Sequence, residues 1–99
     1  MVRHIVVWKF RDSLTQEQRR EGAMAAKRSL EGLIHSISGI VSLNVIVDLL
    51  PGSNAGLILN SLFTDENALM QYQNHPSHAK AAALVASVTK DRLCADYLE

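Results

Sequence analysis

Residues 3–11, RHIVVWKFR, alternate in polarity and are rich in β-branched and aromatic side chains, which predicts a strand. One face carries His4, Val6, Trp8 and Phe10; the other carries Ile5 and Val7 before turning polar at Lys9. The period then changes. From Gln16 to about Ser36 a helix is predicted, because Ala23, Ala26, Leu30, Leu33, Ile34 and Ile37 recur at helical spacing. Thr15 followed by Gln18 fits a capping box, with Glu17 near the positive end of the helix, and Gly39 closes the segment. Gly22 costs this helix about 1 kcal/mol relative to alanine, so close packing is its expected purpose. Residues 40–50, IVSLNVIVDLL, return to period two: Val41, Leu43, Val45, Val47 and Leu49 share one face, with Ser42, Asn44 and Asp48 opposite. PGSNAG is a turn cluster. A third strand, about 56–63, places Leu57, Leu59 and Phe63 on one face and Ile58 and Leu62 on the other. Thr64 or Asp65 can cap a short helix running to about Gln73. Pro76 breaks the helical pattern, Ser77 reopens it, and DRLCADYL at 91–98 reads as a last strand.

Strand, helix, strand, strand, broken helix, strand is a βαββαβ order, and 99 residues make one domain, 1–99. The expected fold is α+β: a ferredoxin-like sandwich with a four-stranded antiparallel sheet and helices on one face. That architecture leaves the other sheet face bare, yet the first and third strands are apolar on both faces. Bare apolar sheet implies a partner, most economically a second copy packed sheet to sheet about a two-fold axis.

Charge and composition narrow the function classes. Ten Lys and Arg balance ten Asp and Glu, and no basic stripe stands out, which argues against nucleic acid. No apolar run approaches the ~20 residues that span a bilayer, and the N-terminus lacks a signal-peptide pattern. The single cysteine, Cys94, cannot form an internal disulfide, so a reducing cytoplasm is the natural compartment and a small buried strand residue its natural role.

The chemistry concentrates in YQNHPSHAK, residues 72–80, which holds two of the four histidines. His75 and His78 have a metal-like spacing, and His4 or Asp96 could add a third ligand. Pro76 divides the pair, however, and no HExxH or cysteine cluster accompanies it, so neither metal nor cofactor is expected. As an acid/base residue, histidine titrates near neutral pH and works best with one ring nitrogen fixed by a carboxylate; Asp96 is the available candidate to orient His78 in this way. In a ferredoxin-like sheet the last strand lies antiparallel beside the first, bringing Asp96 near His4. If His78 projects from the adjoining helix start, His4, His78 and Asp96 converge, and Tyr72 can offer its hydroxyl to a developing oxyanion. The plainer reading makes Tyr72 a core aromatic and His78 a surface residue.

RHIVVWKFRD, ALMQYQNHPSHAK and DYLE together resemble the stress-responsive A/B-barrel (Dabb) family, and the resemblance runs through nearly the whole chain in order and spacing. It implies a homodimeric α/β barrel with a cavity between each sheet and its helices. Some plant members are cyclases without cofactors, which implies His78 as base, Tyr72 as the group holding a substrate carbonyl, and His4 and Asp96 in the same cluster. Where a cyclase carries large aromatics, this chain has Gly22, Ala23 and Ala26, which implies a cavity of different shape. The residues expected to meet a ligand are Val6, Trp8, His75, Ala23 and Ala26. Three functions are thereby set against one another: binding of a small, partly apolar molecule; cofactor-independent cyclase or lyase chemistry; and a structural or regulatory stress protein.

Overall fold

The computed structural model describes all residues, 1–99. Its elements are β1 (Val2–Phe10), α1 (Gln16–Glu31), β2 (Ile40–Ile46), β3 (Leu57–Phe63), α2 (Glu66–Asn74), α3 (Pro76–Ala86) and β4 (Thr89–Leu98). The strands form one antiparallel sheet in the order β2-β3-β1-β4, the ferredoxin-like topology. No helix is long and apolar enough to cross a membrane.

Alternation along β1 and β3 builds the inner face. Val2, His4, Val6 and Trp8 are buried on β1, and Leu57, Leu59, Ser61 and Phe63 on β3. Ala23, Ala26 and Leu30 of α1, Leu69 and Tyr72 of α2, and Ala81 and Val85 of α3 close over them. The Thr15–Gln18 capping box forms in both directions, and Asp65, not Thr64, caps α2 by accepting from the Ala68 amide. Glu31 holds α1 on the sheet by accepting from Lys27 and from the Val45 amide, each at 2.8 Å.

Several local expectations shift. The helix predicted to Ser36 is α-helical only to Glu31 and tightens into a 3₁₀ turn, Gly32–His35, which buries Leu33 and leaves Ile34 at the surface. A bulge between Ile40 and Ser42 resets the alternation of β2, so Val41 is exposed while Leu43 and Val45 point inward. The strand stops at Ile46, opposite Ile58, and Leu50 stands in solvent. Gly22 lies where a Cβ would meet Val88 at 3.1 Å, in keeping with its packing role. Gly39 adopts φ +88°, and a Cβ there would lie 2.7 Å from that of Ala68. Cys94 is exposed, because β4 is an edge strand buried only at its first residue, Thr89.

Candidate functional site

The break at His75–Pro76 shapes the site. Pro76 occupies the first turn of α3, where its missing N–H costs nothing. His75 ends α2 and caps α3, its Nδ1 accepting from the Ser77 amide at 3.0 Å. Tyr72 therefore lies in the last turn of α2 and His78 in the first turn of α3, with ring centroids 4.4 Å apart. Both rings border a cavity of about 410 Å³ between α3 and the β1–β4 side of the sheet. Val6, Trp8, Leu30 and Leu59 give it an apolar floor, His4, Tyr72 and His78 a polar end, and Arg11, Lys90, Asp91 and Arg92 a charged mouth.

Tyr72 is fully buried, and its hydroxyl is the one buried side-chain polar atom of the chain without a hydrogen-bond partner. Burial pushes its pKa up to about 12, opposed by the nearby charge of Arg92, so the group is a neutral donor at any physiological pH. Burial also holds the His78 imidazole below its ordinary range. A backbone hydrogen bond with Gln73 opposes that shift, and the charges of His4 and Arg92 add to it. His78 is thus kept neutral, the form that accepts a proton.

Register places His4 directly opposite Asp96, and the His4 Nδ1 is hydrogen-bonded to the Asp96 carboxylate. This differs from the expectation that Asp96 orients His78. A strand partner 92 residues away in sequence claims the carboxylate first, since both residues share the inner face at one rung of the ladder. Asp96 lies behind His4, outside the cavity wall, while the His4 ring stacks edge-on to Tyr72 at 6.2 Å. Val6 and Trp8 line the cavity. His75, Ala23 and Ala26 do not: His75 is spent as a cap, Ala26 is sealed in the α1–sheet core, and Ala23 borders a separate depression beside Phe10 and Leu49. Arg92, Thr89 and Ala82 line the cavity without having been singled out from sequence.

The His75/His78 pair is not arranged for a metal, since one ring caps a helix and the other leans on Tyr72. The donors that could hold an ion are instead His4 Nδ1, Cys94 Sγ and an Asp96 oxygen, all within 4.8 Å of one another.

Fold and site together define a ferredoxin-like α+β protein with a part-polar, part-apolar pocket between sheet and helices. The chain belongs to the stress responsive A/B barrel domain family, whose model matches residues 2–99. A dimeric protein of unknown function with a ferredoxin-like fold from Bacteroides fragilis is 31% identical, with 97% of this chain and 93% of that one covered and a TM-score of 0.91. A dimeric ferredoxin-like protein from Thermobifida fusca is 25% identical over 97% of this chain and 88% of its own, with a TM-score of 0.78. The hydroxynitrile lyase of Passiflora edulis shares the fold at 17% identity, covering 97% and 90% of the two chains with a TM-score of 0.72. No curated protein matches the chain in sequence.

Proposed function

We propose that this protein is a cytoplasmic homodimer that binds a small, partly apolar molecule bearing a carbonyl or hydroxyl oxygen in its sheet–helix cavity. The observation that carries this reading is the Tyr72 hydroxyl, buried and unpartnered at the wall of a 410 Å³ space. An orphaned buried hydroxyl costs free energy, and a ligand oxygen placed there would recover it. The volume falls within the range of small-molecule sites, and apolar walls with a few convergent polar groups are what such sites use. An open interior of this kind also speaks against a purely structural role. A free exposed Cys94 fits a reducing compartment.

The dimer reading rests on the outer sheet face. Ile5, Val7, Ile58 and Leu62 are only partly covered, and Leu93 and Tyr97 are 69% and 49% exposed. A second copy, as in the dimeric neighbours, would cover them.

The adjacency of His78 and Tyr72 favours a second reading, cofactor-independent lyase or cyclase chemistry. A neutral His78 would take a proton from the carbon next to a substrate carbonyl. Tyr72 would donate to the enolate oxygen so formed, and the imidazolium would return the proton to product. His4, fixed by Asp96, would complete the polar wall. The test is a thermal-shift screen of aromatic and β-keto acids on the wild type and His78→Ala. Shifts lost in the variant support the site; shifts that survive unchanged, or none at millimolar ligand, refute it.

A further inference from the structure

A second polar feature lies at the cavity mouth, and it comes from an irregularity in β4. The β1–β4 register runs without a break from Val2↔Leu98 to Val7↔Leu93, then resumes at Lys9↔Lys90. Asp91 and Arg92 are therefore both opposite Trp8, in a bulge where Asp91 takes φ 53°. A regular strand would send neighbouring side chains to opposite faces. The bulge instead brings both Asp91 and Arg92 to the cavity, beside the Trp8 ring.

The cations at this mouth are not equivalent. Arg11 is committed to backbone carbonyls, its Nε donating to Thr89 at 3.2 Å and an Nη to Ala86 at 2.8 Å. Lys90 is paired with Asp12 at 2.8 Å. Arg92 enters no ion pair. Its charge nevertheless reaches both rings, opposing the rise that burial causes at Tyr72 and adding to the fall that burial causes at His78. Asp91 is the opposing charge, the one carboxylate on the cavity lining. A guanidinium outside any ion pair, with the Cys94 thiol as its neighbour, offers a planar pair of donors, the geometry that suits a carboxylate.

We infer that the cavity selects small organic acids: the carboxylate meets Arg92 at the mouth, an apolar body lies over Val6, Trp8 and Leu59, and a carbonyl or hydroxyl oxygen reaches Tyr72 and His78. This rests on the cavity-binding reading and adds the class of ligand. Arg92 is then the specificity-determining residue, and Asp91 sets an upper limit on affinity by competing for it.

Matched acid and ester pairs test this. Phenylglyoxylate and 3-phenylpropionate, each beside its methyl ester, are titrated into the full-length wild type by calorimetry. Quenching of Trp8, the only tryptophan, gives a second readout at the cavity floor. The wild type is expected to prefer acid over ester by roughly tenfold or more, the ratio that a charge-assisted pair supplies. Arg92→Gln removes that preference by weakening the acid far more than the ester. Asp91→Asn, which tolerates the same positive φ, tightens the acid alone. Equal affinity for acid and ester in the wild type, or an acid preference that survives in Arg92→Gln, overturns the inference and leaves cavity binding standing. Failure of every probe to bind at millimolar concentration overturns both readings.

Discussion

Replacing Tyr72 with phenylalanine separates a ligand-binding hydroxyl from a structural one. In the free protein this hydroxyl is buried and unpartnered, while the ring packs on Phe63 at 4.9 Å and on His78 at 4.4 Å. Phenylalanine keeps the ring contacts and removes only the oxygen. Leaving a hydroxyl out of water without a partner costs about 1–3 kcal/mol by mutational measure. Taking the lower end of that range, Tyr72→Phe should stabilise the free protein by about 1 kcal/mol. For a domain of this size that raises the melting temperature by about 4–8 °C. The same change should weaken an oxygen-bearing ligand by about tenfold, the worth of one lost hydrogen bond in a dry site. Calorimetric melting of wild type and variant at equal protein concentration, with and without ligand, reads both effects. A variant that melts several degrees lower would refute the reasoning, because it would mean the hydroxyl has a partner within the fold.

Three further outcomes follow from the same geometry. His78 is held below its ordinary value of 6.5, so the unfolded chain takes up its proton first as pH falls; stability should decline from about pH 6.5 downward, and His78→Gln should flatten that decline in pH-dependent melting. Above pH 6.5 both states are neutral and the variant should show no such difference. Asp96→Ala removes the hydrogen-bond partner of His4, which is 2% exposed, and should cost about 1–3 kcal/mol in urea unfolding, whereas Asp96→Asn keeps an acceptor and should cost less. Val7→Glu places a charge on the apolar outer sheet face and should yield monomers in sedimentation velocity at micromolar concentration; a wild type already monomeric there would contradict the dimer.

Much of this arrangement is legible in the sequence, and the exceptions have physical causes. The alternation of β1 and β3 gives the inner face directly, since both strands are central and register errors would expose their whole apolar set. The antiparallel neighbourhood of first and last strands places Asp96 beside His4 from topology alone, and the ladder pairs those two residues. What topology does not fix is which histidine wins the carboxylate. Backbone register settled that in favour of His4, which shares a rung with Asp96 while His78 sits on a helix above the sheet. The two bulges are likewise hidden, because one inserted residue leaves composition unchanged while reversing sidedness; Val41 and the Asp91–Arg92 pair are the consequences. A signal for Arg92 was present in its sharing a strand face with Cys94 and Asp96, but only the bulge turns it to the cavity mouth. Ala23 and Ala26 failed as cavity residues for a simpler reason. At Ala26 the small side chain lets the helix approach the sheet and closes the space, while Ala23 faces the separate depression beside Phe10.

The distribution of obeyed and broken rules is itself an argument for the site. Away from the cavity this chain satisfies local chemistry with care: Thr15 and Asp65 cap their helices, Glu31 answers a strand amide, and Arg3 bonds Glu99 and Asn60. At the cavity it does the opposite. A buried hydroxyl goes unpaired, an imidazole is held away from its charged form, a guanidinium stands without an anion, and a volume that leucine or phenylalanine could fill stays open. The unpaired hydroxyl, the desolvated imidazole and the unfilled volume each lower stability, and all of them border one 410 Å³ space. Random drift would scatter such costs over the molecule. Their convergence, with a donor at one end and a cation at the other, is what a bound acid would turn from liabilities into contacts.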